Sequence, residues 1–325
     1  MLWLHRLKKI EGFWANAVLR SYGNFFFVDD PVVGMASLIV VGLYSRWSLF
    51  ASFTTCVTGN MFAARTLGEH PALVRSGLIG MNPMMLGLCI ALMQPPAMAM
   101  LLPLLVLPCC CMAVQKTLRL SLEPWGLKEG AFPALFVLAL WKYGLSDVFG
   151  IFPHIPMGKI FTEPIGMRAG ARIIITSIAN VGCVQPGWLT MGLLNLTWWL
   201  TAPAILFAVW CGAVLGVAAD LLSGAETSHV WSGMSGLNSI LAFASMLSSA
   251  QNKDVWAYLR CVLASFCAAL VSGMLDNKSM TWPSAIVMFA YQAMGSLLAV
   301  LAEHKGSEKF LTRFGVPTIS HRKVA

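Results

Sequence analysis

The sequence predicts an all-α integral membrane protein with about ten transmembrane helices, arranged as two inverted five-helix repeats. Its 325 residues are 58% hydrophobic and only 11% charged, whereas soluble domains have about 45–50% apolar and about 25% charged residues. The stretch Met81–Gln115 carries no Asp, Glu, Lys or Arg. It is longer than the ~20 apolar residues that span a bilayer. A third observation, an internal repeat, predicts the arrangement in two halves.

Three patterns recur in order along the chain. The motif GxxGxN at Gly77–Asn82 returns at Gly233–Asn238, an offset of 156 residues. The same offset carries Asn24 onto Asn180, and Pro133 corresponds to Pro283 at an offset of 150. Such spacing indicates a duplication. We therefore divide the chain into a first half, residues 1–155, and a second half, residues 156–325.

Each half contains about five hydrophobic segments. They lie near 32–49, 50–66, 77–94, 97–115 and 131–146 in the first half, and near 188–202, 203–222, 233–250, 255–274 and 283–302 in the second. An odd number of crossings makes the second half enter the membrane from the opposite side, as in inverted repeats with a permeation site near the midplane.

Basic residues near both ends of the chain flank the membrane segments. By the positive-inside rule we expect both termini in the cytoplasm. The first thirty residues mix charged and apolar positions, so no cleaved signal peptide is expected.

Two prolines indicate broken helices in the pore region. Proline is tolerated in the first turn of a helix but not in its interior, so we expect helices to begin near Pro133 and Pro283. Non-helical backbone before them is tolerated at membrane depth only where it is shielded or lines a wet cavity. These segments are predicted to be re-entrant or broken and to line a central pore.

Several function classes lack support. The nine cysteines show no metal-ligand spacing, so neither a metal nor a cofactor is expected. The net charge is +8, and the basic residues near both ends of the chain flank membrane segments. This placement indicates lipid rather than nucleic acid as the partner. The sequence contains no GxxxxGK[ST], HExxH or GxSxG, so no ATP-driven, zinc-protease or serine-hydrolase enzyme is indicated.

The GxxGxN repeats, the two asparagine segments and the two proline segments together resemble the urea-transporter family, in the form of a bacterial-type urea channel with divergent pore motifs. The resemblance runs from about Ser21 to Leu301. It implies a homotrimer in the bacterial inner membrane, each protomer having its own pore through which urea passes passively.

The resemblance also assigns roles to individual residues. It implies substrate-binding or pore-lining roles for Asn24, Phe27, Met81, Met85, Ala131, Asn180, Cys183, Leu237, Leu241 and Thr281. The structural motif residues are Gly80, Asn82, Pro133, Gly236, Asn238 and Pro283. Met81 and Leu237 stand where the family motif has Phe, and Ala131 stands where it has Thr. With these substitutions in the predicted solute-binding positions, the predicted solute is urea or a related small neutral amide.

Other interpretations stay open. Asn82 and Asn238 are suited to capping or tying broken backbone, and Thr281 is suited to capping the helix at Pro283. An ion-coupled secondary transporter would need a membrane-embedded acid, for which Asp220 is the position to examine. A scaffold protein without flux is the other alternative.

Overall fold

A computed structural model describes residues 12–93, 96–122, 130–141, 167–181, 188–224, 230–231, 233–249 and 255–274. Within these ranges all regular structure is helical and no strand occurs, which confirms the predicted all-helical class. Three predicted site residues, Cys183, Thr281 and Pro283, lie outside the described residues.

The described part of the first half contains seven α-helices and one 3₁₀ turn. The helices are α1 (Phe13–Phe25), α2 (Pro31–Tyr44), α3 (Arg46–Arg65), α4 (Pro71–Arg75), α5 (Leu78–Met93), α6 (Leu101–Leu122) and α7 (Phe132–Leu140), with the 3₁₀ turn at Met98–Met100 before α6.

The described part of the second half contains five helices. They are α8 (Met167–Val181), α9 (Trp188–Thr201), α10 (Pro203–Ser223), α11 (Met234–Ser249) and α12 (Val255–Met274). Their order matches α1, α2, α3, α5 and α6 of the first half. The connections after α3 and α10 even place a glycine in the left-handed region at equivalent positions, Gly68 at φ 65° and Gly224 at φ 68°.

The structure adds one helix at the start of each half to the segments predicted from hydrophobicity. Asn16 and Arg20 make α1 too polar to be recognised as an apolar segment, and α8 was likewise not among the predicted segments. Nevertheless α1 buries a continuous stretch that includes Ala17, Ser21 and Tyr22. These short helices carry Asn24 and Asn180 near their carboxyl ends.

The predicted segment 32–49 is divided at Ser45. The α2 helix ends at Tyr44, and the Ser45 hydroxyl accepts a hydrogen bond from the Ser48 amide at 3.2 Å, which caps α3. Such a cap satisfies one of the amides left without a partner at a helix start. The physical reason for the break is therefore local, a capping serine inside an apolar run.

Among the described residues, two helical stretches are long and apolar enough to cross a membrane alone, Met98–Leu122 and Pro203–Ser223. Shorter apolar helices include α2 with 14 residues and α5 with 16, below the ~20 residues of a full crossing. Large apolar side chains such as Leu102, Phe207 and Leu263 are more than half exposed on the outer faces. Those faces suit contact with lipid.

The halves meet through α2 and α9, which pack against each other. Around this contact lies a set of buried residues that we call the between-halves cluster. It comprises Phe26, Val33 and Val40 from the first half, and Ile178, Leu194, Trp198, Val209, Leu237 and Ile240 among its residues from the second. A second set, the first-half cluster, joins α5, α6 and α7 and includes Met85, Leu104, Leu107, Leu135 and Trp141.

Candidate permeation site

The turn after α1 holds a bulky residue in an unusual conformation. The chain leaves α1 at Phe25, and the Phe27 amide donates to the Asn24 carbonyl at 2.9 Å. Phe27 has φ 63°, a left-handed conformation that costs a non-glycine residue about 1–3 kcal/mol. A phenylalanine persists here only because the surrounding structure requires it, and such residues cluster at functional sites.

The Phe27 side chain crosses from the first half to the second. It packs, half-buried, against the between-halves cluster, to which Leu237 belongs at 6% exposure. Leu241, one helical turn further along α11, packs against the same cluster. The structure therefore brings together three of the predicted pore residues, Phe27, Leu237 and Leu241, in one apolar contact region between the halves.

Two other predicted residues meet in the first-half cluster. Met85 belongs to it at 8% exposure, and Ala131 packs against it. Met81 lies one turn before Met85 on α5 and is half-buried. Ala131 precedes α7 as its N-cap residue and provides no side-chain hydrogen bond there, while Pro133 occupies the first turn of α7. The predicted pore residues thus form two groups rather than one.

The two asparagines lie at equivalent helix ends and are both half-buried. The Asn24 Nδ2 donates to the Ser76 carbonyl at 2.8 Å, which ties the end of α1 to the turn before α5. An asparagine side chain has one acceptor oxygen besides its amide donor. In Asn24 one N–H positions the backbone, which leaves the oxygen and the second N–H to serve a solute.

The glycines of each GxxGxN motif pack closely against the helix that begins their half, at Ser21 in the first and Ser177 in the second. We call each of these close contacts a socket. Gly77 and Gly233 have φ 75° and 68°, conformations that favour glycine. A Cβ added at Gly80 would lie 2.3 Å from Ser21 Oγ, and one at Gly236 would lie 2.1 Å from Ser177 Oγ. No side chain fits at either position.

The serines in these sockets were missed by the sequence reasoning. Ser21 and Ser177 are fully buried, and each hydroxyl donates to the carbonyl four residues earlier, at Ala17 and Ile173 respectively. They are also separated by 156 residues, the same offset as the motif they contact. A search for further residues at that offset could have found them.

The motif asparagines tie helices together. The Asn82 Nδ2 donates to the Gly130 carbonyl at 3.0 Å, which holds α5 against the start of α7. The Asn238 Nδ2 donates to the Met234 carbonyl at 3.1 Å and to Ser272 Oγ at 3.2 Å, which links α11 to α12. Both side chains are at most 1% exposed. These hydrogen bonds are consistent with a structural role for both asparagines.

One ion pair, Arg20 with Asp29 at 2.5 Å, lies close to Phe27 in the sequence, and a more buried one joins the connection after α3 to α6. The Glu69 carboxylate, 6% exposed, accepts hydrogen bonds from Arg119 Nη2 at 2.5 Å through both oxygens. Lys116 lies 3.9 Å from Glu69 and donates to the Leu67 carbonyl. Among the described residues there is no group of three His, Cys, Asp or Glu side chains that could hold a metal ion. The clustered pore residues themselves, Phe27, Leu237, Leu241, Met85 and Ala131, have apolar side chains.

Comparison with known proteins identifies the family to which the chain belongs. A family model described as urea transporter matches residues 15–302. The chain belongs to the urea transporter family. This is a family of membrane transport channels rather than of enzymes, and the match covers every described helix except the first two residues of α1.

Individual members of the urea transporter family are distant from this chain. Urea transporter 1 of Mus musculus is 24% identical over 242 residues, which cover 69% of this chain and 60% of that protein. Urea transporter 1 of Ovis aries is 20% identical over 293 residues, covering 84% of this chain and 75% of that protein. The alignment therefore spans about three fifths of the mouse protein and three quarters of the sheep protein.

Proposed function

We propose that this chain conducts urea or a related small neutral amide passively across a membrane, along a path between its two halves. The observation that carries the proposal is the match of residues 15–302 to the urea transporter family. Phe27 from the first half and Leu241 from the second both pack against the between-halves cluster, to which Leu237 belongs, and this supports a path at this level.

The chemistry of the proposed path suits a neutral amide. Urea offers four N–H donors and one carbonyl, and loss of its water in an apolar medium costs several kcal/mol unless hydrogen bonds replace it. Asn24 and, at the equivalent position, Asn180 supply amide groups at the ends of the path. Apolar walls at Phe27, Leu237 and Met85 give an ion no compensation for its lost hydration.

The predicted central residues differ between the halves. In the first half Ala131 provides no hydroxyl, so we propose that Thr281, which follows the same pattern in the sequence, supplies a hydroxyl from one side only. We also propose a pore-lining role for Cys183, as the sequence resemblance implies. A path with one hydroxyl and with aliphatic rather than aromatic side chains at Met81 and Leu237 would accept solutes less planar than urea.

We also propose the finer architecture that accompanies this function. It consists of ten crossings in two inverted repeats, with α1 and α8 as short additional helices, assembled as a homotrimer in a bacterial inner membrane with both termini in the cytoplasm. The equivalent helix orders of the two halves support the repeat. The apolar outer faces support contact with lipid and with neighbouring protomers.

An ion-coupled carrier is the second candidate because one acid is buried in a membrane helix. Asp220 is 2% exposed and lies in the last turn of α10. Intramembrane acids commonly mark ion or proton pathways. Asp220→Asn should leave solute flux unchanged in a passive pore, whereas in a coupled carrier it should abolish the dependence of flux on a proton or sodium gradient.

The proposed function is tested by stopped-flow shrinkage and reswelling of proteoliposomes. The solutes are urea, formamide, acetamide, methylurea and glycerol, with ammonium as the charged control. Rapid urea entry without an ion gradient is expected. Entry of bulkier amides with little urea entry would change the solute but not the mechanism, and no flux of any solute would reject the channel in favour of a scaffold.

A further inference from the structure

The Trp198 indole carries a buried donor that lacks an acceptor. The side chain is 0% exposed, and its Nε1 has no hydrogen-bond partner among the described residues. Leaving a buried donor unsatisfied costs about 1–3 kcal/mol, and buried indole N–H groups usually find a partner. An unpaired N–H at this position therefore suggests an acceptor that is not a fixed part of the described protein.

A nearby tryptophan shows the contrast. Trp210 lies on α10 with 41% exposure, and its Nε1 donates to Asn195 Oδ1 on α9 at 2.8 Å. A more exposed indole on the outer side is thus satisfied by a dedicated amide, while the fully buried one is not. Trp198 lies on the same buried face of α9 as Met191 and Leu194. Its burial therefore follows from the rotation of α9 about its axis.

The position of the donor is that of the proposed path. Trp198 belongs to the between-halves cluster, and its ring lies 5.8 Å from the Phe26 ring. The same cluster contains Leu237 and contacts Phe27 and Leu241. The side chains of this cluster are hydrocarbon apart from the indole nitrogen and the Met191 sulfur. Among the described residues no acceptor reaches the indole Nε1, so we take a solute carbonyl in the path as its acceptor.

We propose that the Trp198 Nε1–H donates a hydrogen bond to the carbonyl oxygen of the permeating solute. This inference rests on the proposed function and adds a specificity-determining residue to it. An indole only donates, so Trp198 complements the acceptor oxygen of Asn24, which serves the solute N–H groups.

The chemistry predicts a specific loss of selectivity. A carbonyl oxygen is a strong acceptor and a thiocarbonyl sulfur a weak one, and sites built to hydrogen-bond a group discriminate against analogues that lack it. Trp198→Phe keeps an aromatic ring but removes the donor. It should lower the ratio of urea to thiourea permeability about three- to tenfold, since a net hydrogen bond contributes about 0.5–1.5 kcal/mol.

The test compares urea and thiourea permeabilities in proteoliposomes containing equal amounts of folded protein. The matched control is Trp199→Phe, because Trp199 is the next residue of α9 but is 67% exposed on the outer face; its ratio should stay at the wild-type value. Incorporating 3-benzothienylalanine at position 198, a near-isosteric tryptophan analogue without the N–H, gives the same test if Trp198→Phe does not fold.

The outcomes are distinguishable. A lowered ratio in both position-198 variants and an unchanged ratio in Trp199→Phe support the proposal. Equal losses of urea and thiourea permeability would show that Trp198 only packs, and an unchanged permeability to both would exclude it from the path. A wild-type protein that conducts urea poorly under all conditions would instead reject the proposed function, together with the inference that rests on it.

Discussion

At the scale of single residues, the sockets formed by the GxxGxN motifs have no room for a methyl group. We expect Gly236→Ala to lower thermal stability by about 1–3 kcal/mol, since the new Cβ would lie 2.1 Å from Ser177 Oγ. Thermal unfolding in detergent measures the effect. Gly192→Ala is the control, because no atom lies within 4 Å of a Cβ at that helical position, and it should be neutral or slightly stabilising.

A second substitution identifies the cause of that loss. Replacing the facing serine in the double variant Gly236→Ala/Ser177→Gly removes both Ser177 atoms that crowd the new Cβ. The double variant should recover part of the stability lost in Gly236→Ala. If the two single losses simply add, the socket is not the reason for the glycine.

The left-handed backbone at Phe27 predicts an unusual order of stability for two substitutions there. Phe27→Gly and Phe27→Ala both remove the ring, but only alanine retains a Cβ at φ 63°. We therefore expect the glycine variant to be about 1 kcal/mol more stable than the alanine variant in thermal unfolding. At the exposed helical position Trp199 the order should reverse, because alanine is the better helix former. Alanine being the more stable at Phe27 would contradict the observed backbone.

Residue-level prediction was possible where a pattern repeats in the sequence. Gly80 and Gly236 could be singled out because both belong to one motif at a fixed offset. Trp198 could not, since nothing in the sequence distinguishes it from Trp199. Only the register of α9 against α2 makes one buried and the other exposed. Contacts between the halves decide that register, and the local sequence does not encode them.

At the scale of elements, a buried ion pair joins the connection after α3 to the end of α6. Arg119→Met should destabilise the protein by about 3 kcal/mol, because it leaves the 6% exposed Glu69 carboxylate without its main partner. Adding Glu69→Gln removes that charge, so the double variant should be more stable than Arg119→Met alone. Thermal unfolding at neutral pH measures all three proteins.

The control for the ion pair lies in the same connection. Arg75, at the end of α4, is exposed, so Arg75→Met should change stability by no more than about 0.5 kcal/mol. A double variant less stable than Arg119→Met would show that Glu69 is stabilised by other groups and that the pair does not hold α6 in place.

The elements themselves were partly predictable. Runs that are apolar apart from single charged residues predicted α10 and α12 nearly to the residue, as Pro203–Ser223 and Val255–Met274 against the predicted 203–222 and 255–274. The α1 helix was missed because Asn16 and Arg20 hide its buried face. Hydrophobicity alone does not detect a helix whose polar residues bond to nearby polar groups. Arg20 Nε donates to Asn16 Oδ1 at 2.9 Å, and Arg20 Nη1 donates to Asp29 at 2.5 Å.

At the scale of the whole molecule, the helix order repeats, and the membrane orientation of the two halves is the property on which the proposed pore depends. If the halves are inverted, α2 and α9 are equivalent helices related by an axis in the membrane plane, and their packing places that axis beside the between-halves cluster. Phe27, Leu237 and Trp198 then lie near the middle of the membrane, where a solute is furthest from water.

The orientation is tested at two equivalent glycines, Gly68 and Gly224. Both follow a matched helix, both are exposed, and neither has an atom within 4 Å of an added Cβ. In inverted repeats a membrane-impermeant maleimide should label Gly68→Cys from one side of sealed vesicles and Gly224→Cys only from the other, after subtraction of the signal from the native cysteines. Labelling of both from the same side would make the halves parallel and would remove the midplane site between them.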